Sequence, residues 1–137
     1  MIPIQQTRVG ESGNCLNACL ASILEIPLWE IPEFSKDNNL FLADIQEFLA
    51  GHDLYYVQIL PDDPTVHEAF RMSLGPAYHT IEGMSPRGGQ HACVGDRGEI
   101  IFDPHPQDET SRGLVSIGCF GLLCQRFAGK LSDSQER

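Results

Sequence analysis

His91-Ala92-Cys93-Val94-Gly95-Asp96-Arg97-Gly98-Glu99-Ile100-Ile101-Phe102-Asp103 is the stretch that decides the fold. Two apolar runs flank a short polar segment ending in glycine, the pattern of an antiparallel hairpin. With Asp96, Arg97 and Gly98 as a three-residue loop closed by Gly95 opposite Glu99, His91 falls opposite Asp103. Opposed side chains on one face lie close enough for a carboxylate to reach an imidazole N–H. Ala92, Val94, Ile100 and Phe102 then share the other face as core. A two-residue turn would instead set His91 opposite Pro104, so the pairing of His91 with Asp103 depends on the register.

Upstream, residues 15 to 26 read as a helix, because Leu16, Leu20, Ile23 and Leu24 recur on one face while Asn17, Ala21 and Glu25 lie elsewhere. Pro27 ends it. Glu11-Ser12-Gly13-Asn14 offers a turn, with Asn14 as the N-cap, which places Cys15 at the first helical position. The proline-flanked segment Pro27 to Pro32 reads as an apolar loop on the core, with Trp29 as its anchor. Leu40 to Gly51 has helical spacing, Leu54 to Leu60 reads as a strand, and Thr65 to Leu74 as a short helix capped by Thr65. Ala77 to Ile81 is a further strand before the glycine-rich Gly83 to Gly89, and Leu114 to Phe127 holds one or two more. The class expected is α+β, an N-terminal helix packed on an antiparallel sheet.

Composition bounds what such a domain does. At 137 residues the chain is one domain, expected to span 1–131 with a frayed tail over 132–137. Its 42% hydrophobic and 20% charged residues suit a packed core and exclude a disordered or fibrous protein. The formal charge of −10 repels phosphate backbones and anionic lipid, and 9 scattered cations do not build a basic patch, so neither nucleic acid nor a membrane is expected as partner. No apolar run approaches the ~18 residues of a membrane span. Met1 to Gln6 lacks the basic start and apolar centre of a secretory signal, which implies the cytoplasm. The five cysteines are therefore read as thiols.

A cysteine at a helix start has its thiolate favoured by the dipole and by unpaired amides. Cys15 has that position, and His91 with Asp103 supplies a base and its orienter, so the three have the roles of nucleophilic acyl-transfer catalysis. Cys19, one turn below Cys15, reads as core, and Cys119 and Cys124 as packing residues. Cys15, Cys19, His91 and Cys93 are by ligand type a conceivable zinc set, although neither spacing is a tight knuckle. Gly88 and Gly89 let a substrate backbone approach the base, or form a flexible loop. His105 reads as a solvated loop residue or as lining the cleft, and His52, His67 and His79 have no evident partner. No phosphate-binding glycine motif is present, so no cofactor is expected.

The helix from Cys15 to Leu24 resembles the nucleophile helix of papain-like cysteine peptidases, most closely the bacteriocin-processing peptidases that cut after double-glycine leaders, where Cys-x-x-Ala-Cys-Leu-Ala recurs. His91-Ala-Cys-Val and Asp103-Pro104 are similar to that family's His-x-x-Val and Asp-Pro segments, and Gly13-Asn14-Cys15 with Asp103-Pro104-His105-Pro106 resembles small papain-like proteins of phages and bacteria. The resemblance implies a papain-like fold and a thiol hydrolase acting on a peptide or amide. It also implies a glutamine that bonds the oxyanion, here Gln6 or else Gln5, at a wider spacing from the cysteine than is usual in the family. Two other readings stay open: an amidase or acyltransferase on a non-peptide amide, and a catalytically silent module whose acidic surface mates with a basic protein partner.

Overall fold

The computed structural model of the chain describes residues 1–10, 13–106 and 111–126. The expected frayed tail over 132–137 lies outside them, as do Glu11 and Ser12 of the expected turn. Among the described residues three helices and a five-stranded sheet make the fold α+β. In order these are α1 (Cys15–Leu24), a single 3-10 turn (Leu28–Glu30), α2 (Asn38–Ala50), β1 (Leu54–Ile59), α3 (Pro64–Met72), β2 (Tyr78–Met84), β3 (Gln90–Asp96), β4 (Glu99–Phe102) and β5 (Ser116–Gln125). The strand order is β1-β5-β2-β3-β4, and the β2–β3, β2–β5 and β3–β4 pairs are antiparallel. Two compact units divide the chain: Met1–Pro32 with Gln58–Leu122, and Glu33–Val57 with the described part of Leu123–Arg137.

In the first unit α1 packs on β3 and β2. Its buried set is Leu16, Ala18, Cys19, Leu20, Ala21 and Ser22, broader than the expected stripe, whereas Ile23 and Leu24 are only half-buried. Small residues make this breadth achievable, because Ala18, Ala21 and Ser22 let the helix sit close to its neighbours. Ser22 stays satisfied when buried by donating to the Ala18 carbonyl at 2.7 Å and accepting from the Ile4 amide at 2.9 Å. The helix ends at Glu25 in the left-handed region, φ 58°, two residues before Pro27.

The β3–β4 hairpin corrects the expected register. Asp96 pairs with Glu99, so the turn has two residues, Arg97 at φ 53° and Gly98 at φ 86°, both left-handed as a type I′ turn requires. A bulge follows: Gly95 pairs with Ile100 but Val94 with Phe102, leaving Ile101 unmatched. Ala92 and Val94 are buried, yet Ile100 is exposed and Phe102 half-buried, because β4 is the sheet edge and the bulge breaks its alternation.

Val66 and Phe70 of α3 form a core with Ile81 of β2 and Phe120 of β5. Asp63, not Thr65, caps α3 by accepting from the Thr65 amide at 2.8 Å, with Pro64 preset for the first turn. His79 is wholly buried, stacked on Phe70 at 4.8 Å. Its Nε2 accepts from the Gly98 amide at 3.0 Å and its Nδ1 donates to the Thr80 carbonyl at 3.0 Å, so a neutral imidazole ties the hairpin turn to the core. Trp29 is 82% exposed rather than a core anchor. Between two prolines a three-residue turn can bury only one side, and Ile31 takes the core contact instead.

In the second unit Asp37 caps α2 through the Asn39 amide at 2.8 Å, and the Phe34 ring meets Phe41 edge-on at 6.3 Å and Phe48 at 6.2 Å. The Gln46 carboxamide donates to the Tyr56 carbonyl at 2.7 Å and accepts from its amide at 2.8 Å, occupying backbone groups of the edge strand β1. No helix among the described residues is long and apolar enough to cross a membrane.

Candidate active site

Cys15, Gln6 and His91 line one cavity of about 640 Å³ in the first unit, and Asp103 lies directly behind His91. Cys15 is the first residue of α1 and half-buried. Asn14 holds the N-cap position without capping the helix, contrary to the expected role. Its Oδ1 instead accepts from the amides of Thr7 and Arg8 at 3.1 and 3.0 Å, and its Nδ2 donates to Thr7 Oγ1 at 2.9 Å. The buried asparagine thus pins the segment that carries Gln6, and its side chain makes no cap bond to the first turn of α1.

His91 Nε2 lies 2.7 Å from Asp103 Oδ1, with both side chains buried. The mispredicted register does not separate them, for a reason outside the ladder. Asp103 follows the last residue of β4, and its carboxylate is fixed by the amides of His105, at 2.8 Å to Oδ1, and of Gly113, at 2.5 Å to Oδ2. Burial works against charge on His91, but its bonds to Asp103, Cys15 and Cys93 outweigh this and lift its pKa from 6.5 to about 11. Burial likewise opposes charge on Asp103, and the bonds from His91, Gly113 and His105 overcome it, holding the carboxyl down at about 2. The geometry therefore favours an imidazolium–carboxylate pair. Since Nε2 faces Asp103, Nδ1 is the ring nitrogen left for the thiols.

Gln6 is buried, its amide donating to the Pro104 carbonyl at 2.9 Å and its Nε2 to the Arg8 carbonyl at 2.7 Å. Its Oε1 is buried without a hydrogen-bond partner. Gln5, the alternative, is exposed and does not line the cavity. Opposite α1, the hairpin loop before β3 contributes Gly88 and Gly89, at φ 78° and 115°, where an added Cβ would meet nothing within 4 Å.

The other cysteines differ in kind. Cys19 is wholly buried, and burial raises its pKa well above the usual thiol value, as the core reading expects. Cys93 is also wholly buried, beside His91; burial pushes its thiol up against the opposing pull of the imidazole. Burial and Glu82 push Cys119 up to about 12. Among the described residues, His91, Cys93 and Asp103 form a group whose donor atoms all lie within 4.8 Å and so have the ligand types for a soft divalent metal. Two of those donors are already spent on the His91–Asp103 bond. The conceivable zinc set named Cys15 and Cys19 and omitted Asp103.

Sequence reasoning missed Arg87, gave Asn14 another role, and left His105 open between a solvated loop and the cleft wall. His105 is 1% exposed, lines the cavity and meets His91 edge-on at 6.1 Å, so it is not a solvated loop residue. Arg87 lines the same cavity from the glycine-rich loop, and Asn14 acts through Thr7 and Arg8 rather than on its own helix. The Pro-Arg-Gly-Gly run was the only signal for Arg87. Comparison with protein-family models, with curated proteins and with solved structures returned no match.

Proposed function

We propose that the chain is a papain-like thiol hydrolase that cleaves a peptide or amide bond through Cys15, His91 and Asp103. The observation that carries this reading is that Cys15, at the start of α1, and His91 line one cavity, with the Asp103 carboxylate 2.7 Å from His91 Nε2 behind it. The Cys15 sulfur attacks the substrate carbonyl, forming a C–S bond and a tetrahedral oxyanion. The Cys15 amide at the α1 N-terminus and the second N–H of Gln6 Nε2 stabilise that oxygen. His91 then passes its proton to the leaving nitrogen as the C–N bond breaks, leaving a thioester. Water loses a proton to His91, attacks the thioester and releases a carboxylic acid, and the sulfur leaves with His91 protonated again. Asp103 keeps the ring oriented throughout and does not itself take up the proton.

The test is acyl-enzyme trapping with a panel of activated peptide and simple acyl esters, followed by intact mass. A mass gain of one acyl group on Cys15, released by water and absent in Cys15→Ala of unchanged melting temperature, is expected. Faster release with an added amine and an amide product would shift the assignment to acyl transfer. No adduct with any donor, together with salt-sensitive capture of basic proteins, would support the silent binding module instead. A metal bound stoichiometrically and lost on Cys93→Ser would favour the metal reading.

A further inference from the structure

We propose that the substrate carries a carboxylate and that Arg87 anchors it at the wall of the Cys15 cavity. This rests on the thiol-hydrolase reading and narrows its substrate class to a carboxylate-bearing amide or peptide. Arg87 is the one Lys or Arg among the residues lining the cavity, and no Asp or Glu lines it among the described residues. That composition runs against a chain with 19 acidic residues and 9 Lys and Arg. Among the described lining residues Arg87 is thus a local cation on a chain of net charge −10, and a cation at a cleft draws anions to it.

Arg87 is held in place as well as charged. Its guanidinium donates through one N–H to the Ser111 carbonyl, and a guanidinium has five donors in a planar fork suited to a carboxylate. Pro86 precedes it and Gly88 and Gly89 follow, and a Cβ added at either glycine would meet nothing within 4 Å, so the loop beside Arg87 is uncrowded. A second observation independently points to a ligand. Gln6 Oε1, in a side chain 5% exposed, is buried and unpartnered on the wall that holds Cys15, an acceptor that a substrate amide N–H would satisfy. Acceptor, nucleophile and cation together fit an amide with a carboxylate on its acyl part. Burial and then Arg87 lower the pKa of His105 on the same wall, and a bound carboxylate beside Arg87 would raise it.

Two alkylating reagents of similar size test this without a known substrate: iodoacetate, which is anionic, and iodoacetamide, which is neutral. Their rates at Cys15, mapped by peptide mass, give a ratio to compare with that of N-acetylcysteine amide, a neutral free thiol. The wild-type ratio should exceed the reference. Arg87→Gln should lower it about fivefold, the effect of one unit charge a few Å away in water. Arg87→Lys should retain most of it, and Arg87→Glu should carry it below the reference. A wild-type ratio at or below the reference overturns the proposal without any substitution, and so does a ratio that Arg87→Gln leaves unmoved. Failure of both reagents to label Cys15 overturns the thiol-hydrolase reading itself.

Discussion

His91 and Asp103 are buried groups whose charges are tolerated only because each supplies the other's partner. Asp103→Ala strands a protonated imidazole and the amides of His105 and Gly113, and should cost about 3–5 kcal/mol in urea unfolding. The pH dependence follows from the directions of the shifts. His91 is raised in the folded state, so its contribution is full below the unfolded value of about 6.5 and declines as pH rises toward about 11. Asp103 is depressed, so its contribution is full above about 3.9 and is lost as pH falls through about 2. The stability gap between wild type and Asp103→Asn should therefore be widest near pH 5 to 6 and shrink by pH 9, as followed by urea midpoints. A gap that does not change over this range means the pair is not ionic. His79 works in the opposite sense. Burial lowers its pKa against a weaker pull from Thr80, so its contribution is full above about 6.5 and is lost as pH falls below that value. NMR titration of the two histidines should show His91 protonated and His79 neutral at pH 7.

The elements depend on small residues that the sequence shows without showing why. A Cβ on Gly95 would lie 2.5 Å from Ile81 Cδ1 and 2.7 Å from His79, so Gly95→Ala should cost about 1–3 kcal/mol through overpacking. On Gly83 it would lie 2.0 Å from the Ser116 carbonyl oxygen, backbone that cannot yield, so Gly83→Ala should lower the melting temperature more than Gly95→Ala does. If the order were reversed, the approach of Gly83 on β2 to the Ser116 carbonyl on β5 would not be as tight as described. The hairpin shows how far local pattern reaches. Alternation and the Asp-Arg-Gly turn announced two antiparallel strands, but the bulge at Ile101 depends on tertiary packing and no periodicity encodes it. Cys15 at a helix start was legible because Pro27 and the apolar spacing bracket α1. The use of Asn14 was not, since its partners Thr7 and Arg8 come from a segment with no regular pattern.

Across the whole molecule, the charge and the one tryptophan are the features most easily read from outside. Trp29 is 82% exposed, so acrylamide should quench native fluorescence nearly as strongly as that of the urea-unfolded chain. Strong protection in the native state would mean the proline-flanked turn packs inward. Net charge has no address, and the place of Arg87 on the wall of the cavity emerged only once the chain was folded. For the thiols, position along the chain already set Cys15 apart from Cys19, and burial in the fold adds the contrast with Cys93 and Cys119. Cys19 and Cys93 are wholly buried, burial and Glu82 push Cys119 up to about 12, and Cys15 lines the cavity. Limiting iodoacetamide on the native protein from pH 5 to 8, with all five sites mapped and His91→Ala in parallel, tests the central claim most directly. Cys15 should label far ahead of the other four already at pH 6, and His91→Ala should slow it. Labelling of Cys15 no faster than Cys119, or unaffected by His91→Ala, would contradict an imidazole-activated nucleophile.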